Sequence, residues 1–551
     1  MGKRSAVKDR AACNESGDGT RRLGHSAGSR ARKVRLVIAA ALGLGLVVAA
    51  ASAGAKSFPT HPFVPGSVVI SESTYPAQGN PAIQVGQPLL QGGDAIADGK
   101  YPEVFNNDTV DGNFAVATPF NLVDVDGAGN QLLQVKVPTD RIATSFSSKS
   151  EGAINFSTNG QDLSFLGYNA PQNALDISNS NTPSAPDPSN PDKEGPYNRV
   201  AADLSSDGTW SFTLSNSFSG DNGRSTLLNN DLGIFYAAGN SNNGATTVPN
   251  PITNSGGAQV FAQSFESEGD QAPGAPITPL GSFTYNVNDK FGKDTNFRGL
   301  TVYNNVVYMT KGSGSNGSNS VYFIDTSKTA CPTATGTPKA FVGVPAANAT
   351  LPTAAGAPYP MCILRGFNQL PAKGNSAPNI FPFGLWFANP TTLYVADEGK
   401  ADLTYDADTG TYTNVAGQTG AGLQKWTFDG TKWSLVETFQ AGLDLGATYK
   451  VPGYPKGTNT LGETTLPWAP ATAGLRNISG HDNGDGTVTV YAATSTVSGS
   501  GDVGADPNRI VAITDTVNAT SSGNERFTTI ESPQNRTIYR GVAVVPANYG
   551  S

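Results

Sequence analysis

One phrase recurs along this chain of 551 residues: a short β-branched or aromatic run, a tight turn rich in Asn, Asp or Gly, and a second such run. The clearest copy is Arg298-Gly299-Leu300-Thr301-Val302-Tyr303, a turn at Asn304-Asn305, then Val306 to Lys311. Others start at Glu151, Arg224, Phe383 and Arg476, and a partial copy, Arg540 to Val544, closes the chain. Further hairpins turn at Asp207-Gly208 and Asp429-Gly430, where Asp-Gly supplies the positive φ that tight hairpins need. Two hairpins make a four-stranded antiparallel sheet, and tandem sheets make a propeller.

The expected fold is therefore all-β: a single β-propeller of four-stranded blades. Counting openings at Phe114, Glu151, Arg224, Arg298, Phe383, Arg476 and Arg540 gives seven, with six or eight left open and a β-sandwich with appended domains as the runner-up. The last copy lacks its later strands. The N-terminal strand from Ser67 to Ser71 is expected to complete that blade, so the two chain ends share it and no edge is left exposed. Pro/Asn/Ser/Gly-rich stretches at 178–198, 240–280 and 328–380 read as surface loops.

Residues 1–55 read as an address. A basic flank ends at Arg35, an uncharged Ala/Leu/Val/Gly run follows to Ala53, and small residues close it. These are the parts of a secretory signal peptide, with a retained signal anchor as the alternative and the sole expected membrane contact. Both place residues 56–551 outside the cell or in the envelope. After the signal only Cys331 and Cys362 remain, and an exported chain predicts that they form a disulfide. The net charge of −8 argues against nucleic acid as a partner. A monomer is expected.

The segment Phe383-Gly384-Leu385 to Leu393-Tyr394-Val395-Ala396-Asp397-Glu398-Gly399, followed by Gly422-Leu423-Gln424-Lys425-Trp426, resembles a blade of the NHL, gluconolactonase and lactonase-type propellers. The resemblance covers residues 290–515 best and is architectural. Those families include calcium-dependent hydrolases, lyases and binding modules, so it implies a fold and selects no activity.

In an up-and-down blade, the start of the innermost strand and the end of the next share one face. The openings Arg224, Arg298, Arg476 and Arg540, with Lys149 and Glu151, and the second-strand ends Lys311, Asp397 and Glu398, should then ring one mouth of the channel. Guanidinium forks match carboxylate, phosphate or sulfate. One reading is an anion-binding mouth with Glu151, Asp397 or Glu398 as partner or general base. The other is a set of cross-blade bridges to acids such as Asp221, Asp294 or Asp397. The leading functional expectation is a hydrolase or lyase acting on an anionic small molecule or saccharide. The alternative is a non-catalytic module that binds a ligand or a protein partner, and the sequence does not decide between them.

Calcium is left open as a cofactor, by ligand type only, at Asp482-Asn483-Gly484-Asp485-Gly486 and in the loop from Asp502 to Asp506. The first reads better as a hairpin turn. His61 and His481, the only histidines after the signal, are expected on opposite faces, which speaks against a Ser-His-Asp triad or a multi-histidine zinc centre.

Overall fold

A computed structural model describes residues 61–75, 116–183, 197–240, 257–264, 296–331 and 342–551, apart from short internal stretches, together with strand pieces at 96–97, 105–106 and 278–282. The signal segment, Phe114, Asp294 and Asp502 lie outside the described residues.

Among the described residues six blades form a closed ring, each with an antiparallel four-stranded core; the third adds two short strands, Gly281–Ser282 and Val342–Gly343, parallel to its outermost strand. From the channel outward, the first is Ile154–Phe156, Asp162–Tyr168, Arg199–Ser205 and Trp210–Ser215. The second is Gly223–Asn229, Ile234–Gly239, Ala258–Ala262 and Thr278–Pro279. The third is Phe297–Tyr303, Val306–Lys311, Ser320–Ile324 and Tyr359–Leu364. The fourth is Pro382–Asn389, Thr392–Asp397, Gly422–Phe428 and Trp433–Phe439. The fifth is Ala471–Asp482, Thr487–Val497, Ile510–Thr516 and Thr528–Glu531.

The sixth blade takes its innermost strand, Thr537–Val544, from the C-terminal end of the chain. Its other strands, Val68–Thr74, Phe120–Val125 and Gln131–Lys136, come from the N-terminal part. This is the closure the repeat implied: Ile70 pairs with Val542 on one side and Val123 on the other.

The count of seven is corrected to six. The run after Phe114 opens no blade, because Phe120–Val125 pairs with Val68–Thr74 and is the third strand of the closing sheet. An outer hairpin has the same alternation as an inner one, so the segment looked like an opening. Innermost strands differ in touching their counterparts in both neighbouring blades, and six do so.

Apolar faces of adjacent sheets pack against each other to form the core. Between the third and fourth blades, Tyr303 stacks on Phe387 at 4.6 Å, and Val307, Met309, Leu393 and Val395 are buried beside them. Cys331 and Cys362 form the expected disulfide, Cα atoms 5.7 Å apart, joining the bend beyond the third strand of the third blade to that blade's outermost strand. In the loop-entropy picture, closing a loop of this length contributes roughly 3–4 kcal/mol.

Five of the six innermost strands carry a β-bulge. The residues skipped by the pairing are Arg224; Arg298 and Gly299; Phe383 and Gly384; Arg476 and Asn477; and Arg540. A bulge re-aims a side chain that a regular ladder would direct between sheets. At Gly299 a Cβ would collide with the Phe383 carbonyl oxygen of the next blade, and at Gly384 with the Arg476 carbonyl oxygen, so these positions need glycine.

A hydroxyl from the second strand fills two of these bulges and joins the blades. The Gly299 N–H donates to Thr310 Oγ1, which donates to the Phe383 carbonyl. The Gly541 N–H donates to Ser71 Oγ, which donates to the Gly152 carbonyl at 2.6 Å.

Candidate functional site

The bulges and second-strand ends bring most of the expected residues to one face, where they divide into two groups. The first group is centred on Glu398, which directly follows the strand Thr392–Asp397. Its N–H donates to the Phe381 carbonyl, and its carbonyl accepts from Ser495 Oγ, so its backbone is fixed from two sides. Its Oε1 lies 3.2 Å from Arg298 Nη1 and 3.6 Å from Lys149 Nζ, and its Oε2 lies 3.6 Å from Arg476 Nε. Three cations thus share one carboxylate, a surplus of two positive charges.

Arg298, Arg476 and Glu398 are buried, whereas the Lys149 side chain is 29% exposed. Arg298 also donates to Ser313 Oγ and lies over the Phe383 ring, yet its Nε makes no hydrogen bond. Glu398 is the one ion-pair partner of Arg476 among the described residues.

The electrostatics follow from this crowding. Burial works to raise the Glu398 carboxyl, but Arg298, Lys149, Arg476 and Arg224 together outweigh it and hold it below the ordinary glutamate value. Glu398 acts to raise Lys149. Burial and the fields of Arg298, Arg476 and Arg224 outweigh it and bring the ammonium down to about 8. Burial and Arg298 push Arg224 down to about 9, against the opposing fields of Asp221 and Glu151. Arg224 donates to Asn296 and, at 2.9 Å, to the Phe297 carbonyl, so it bridges to the next blade.

The second group is self-satisfied. Arg540 donates to the carbonyls of Ser145, Phe146 and Ser148 and to Ser73 Oγ. Glu151 accepts from the Tyr168 hydroxyl, Asn222 Nδ2 at 2.8 Å and Ser145 Oγ at 2.6 Å. Arg540 and Glu151 therefore pin both limbs of the loop that carries Lys149. Lys311 donates to the Ser313 carbonyl at 2.9 Å and to Asn319 Oδ1 at 3.2 Å, anchoring the loop beside Arg298. Asp397 accepts the N–H groups of Phe381 and Gly399, and burial pushes its carboxyl up to about 7.

Sequence reasoning missed Tyr168, Asn222 and the buried Arg199, which make or border the Glu151 network. It also missed Thr310 and Ser71. Thr310 was within reach: counting outward from the Asn304-Asn305 turn places it opposite Gly299. Ser71 meets Gly541 only through ring closure and has no local signal.

The calcium expectations meet ordinary turns. Asp482 Oδ1 accepts the Gly484 N–H, and Asp485 Oδ1 accepts both the N–H and the hydroxyl of Thr487. Asp506 accepts from Tyr454 and Ser498. Among the described residues, no group of three or more His, Cys, Asp or Glu comes together to hold a metal ion.

A concavity of about 570 Å³ is lined by Tyr449, Lys450, Tyr454, Lys456 and Trp468. The Arg509 guanidinium lies over the Tyr449 ring, 5.5 Å from its centroid.

No known protein family matches the chain, and no curated protein is significantly similar to it. The likeness to NHL and lactonase-type propellers therefore rests on architecture.

Proposed function

We propose that this protein is an exported β-propeller that binds a small anion (a carboxylate, phosphate or sulfate) at the mouth formed by Lys149, Arg224, Arg298 and Arg476. The observation that carries this reading is the unequal charge at Glu398. Three cations meet one carboxylate, and the Arg298 Nε is buried without a hydrogen-bond acceptor. Holding surplus buried cations is costly unless an anion offsets them. Export draws support from the basic-then-apolar N-terminus and from a disulfide, which persists in oxidising compartments.

The arrangement favours recognition over hydrolysis by a carboxylate base. Glu151 is saturated by neutral donors, Asp397 by backbone N–H groups, and Glu398 by cations, so each is already committed. A saccharide form of the ligand has one support, the aromatic pocket where a sugar ring would find Tyr449, Tyr454 and Trp468.

The test is thermal unfolding of residues 56–551 with sulfate, phosphate and galacturonate. A ligand at 100-fold excess over its Kd adds about 2.7 kcal/mol. The melting point is expected to rise with at least one of these anions, and Arg298→Ala with Arg476→Ala to abolish the rise. No rise with any of them overturns the proposal.

A further inference from the structure

The geometry points to Lys149 as an amine nucleophile toward the carbonyl of a small oxo acid whose carboxylate is received by Arg298 and Arg476. This deepens the anion-binding reading and rests on it. Three observations carry it.

First, Lys149 is the one member of the Glu398 group that solvent reaches appreciably, with 29% of its side chain exposed against 3–5% for Arg298, Arg476 and Glu398.

Second, Lys149 and Arg298 converge on the same oxygen, Glu398 Oε1, and Arg476 holds the other. A carboxylate bound to the guanidinium groups therefore lies beside the Lys149 amine. In a 2-oxo acid the carbonyl carbon is bonded directly to the carboxylate carbon, so anchoring one presents the other.

Third, the loop carrying Lys149 is held far more firmly than a surface lysine requires. Arg540 grips the carbonyls of Ser145, Phe146 and Ser148 from one blade. Glu151 ties the other limb to Tyr168 and Asn222, and Asn222 also reaches Ser148 Oγ. An amine fixed among other cations loses its proton more readily than a free one and gains nucleophilicity at neutral pH. The fields of Arg298, Arg476 and Arg224 act on Lys149 in that sense.

The step balances without an oxidant or reductant. The neutral Lys149 amine adds to the carbonyl carbon, and a C–N bond forms. The carbonyl oxygen takes up protons and leaves as water. The product is an iminium that keeps the single positive charge of the original ammonium. Addition of water reverses the step.

The experiment uses residues 56–551, pyruvate as the probe and cyanoborohydride to reduce any imine to a stable amine, with the modified lysines located by peptide mass spectrometry. Lys136, Lys432 and Lys450 are exposed and serve as internal comparisons. Lys149 is expected to be labelled about ten-fold or more above them, with sulfate suppressing the label at Lys149 alone. In Lys149→Arg, which keeps the charge and lacks the amine, the excess label should vanish while a cooperative melt shows that the fold survives. If sulfate raises the melting point and Lys149 is labelled no more than Lys432, the inference fails and the anion site stands. If Lys149 is labelled in excess and sulfate does not suppress it, the carboxylate-anchoring part fails. If neither a melting shift nor excess labelling occurs, both readings fall.

Discussion

Arg540 with Glu151, and Arg298 with Glu398, begin from the same sequence feature: an arginine in the bulge of an innermost strand and a buried glutamate at the same mouth. Their outcomes differ. Arg540 spends its guanidinium on three carbonyls and a hydroxyl, and Glu151 receives three neutral donors. Glu398 instead receives three cations, and part of the Arg298 guanidinium goes without an acceptor. Residue type and position place a charge at the mouth. Whether neutral partners complete it decides if it is part of the scaffold or available to a ligand.

The largest expected effect lies on the scaffold side. Arg540→Ala strips charge-assisted hydrogen bonds from three carbonyls and releases the loop before Lys149. Denaturant unfolding should show a loss of about 3–5 kcal/mol. A loss under about 1 kcal/mol would erase the contrast between the two groups. Next is Glu398→Gln, which leaves three cations without their shared counter-charge. It should cost about 3 kcal/mol in low salt, and sulfate should restore part of it. Glu151→Gln should cost about 1–3 kcal/mol, with no recovery in sulfate, because its partners are neutral. Equal recovery in both variants would show screening rather than a site.

How legible this was differs between the two groups for a physical reason. The repeat, the shared closing blade, the disulfide and the convergence of Arg298, Arg476 and Glu398 follow from local phrases whose spacing survives in the sequence. The self-satisfaction of Arg540 does not. Its acceptors are backbone carbonyls near residue 146, almost 400 positions away, and any residue type supplies a carbonyl. The arrival of Lys149 at Glu398 likewise depends on closing the ring. The blade count went wrong at Phe114 because strand alternation is the same in inner and outer hairpins, while contact with both neighbouring blades is visible only in three dimensions.

A smaller effect separates buried acids from the cationic group by pH. Burial pushes Asp124 up to about 6, Asp397 to about 7 and Asp203 to about 8. In the unfolded chain these groups ionise near the ordinary aspartate value. Between about pH 4 and pH 8 the folded protein therefore binds more protons than the unfolded one, and stability falls as pH rises. The denaturant midpoint should be higher at pH 5 than at pH 8. Asp203→Asn should flatten the upper part of that slope. A midpoint that rises from pH 5 to pH 8 would contradict the burial argument.

The smallest expected effect is on ligand affinity, and it sharpens the comparison most, because it reads the cationic group alone. Lys149 faces Glu398, Arg298, Arg476 and Arg224, and is held down to about 8. A bound anion favours the ammonium and raises that value, so affinity is greatest below about pH 8 and falls as Lys149 deprotonates above it. Asp397, adjoining Glu398, acts in the same sense: as it ionises through about pH 7 it adds negative charge near the mouth. Arg224, pushed down to about 9, begins to lose charge at the alkaline end, and Arg298 and Arg476 supply the affinity that persists. Sulfate affinity, followed by the melting shift at each pH, should weaken about ten-fold or less between pH 7 and pH 9.5. Lys149→Arg keeps its charge across that range and should lose the upper limb of the fall. An affinity that is flat in the wild-type protein, or that falls equally in Lys149→Arg, would mean that the anion meets the arginines without the lysine, and the mouth would then be built on Arg224, Arg298 and Arg476 alone.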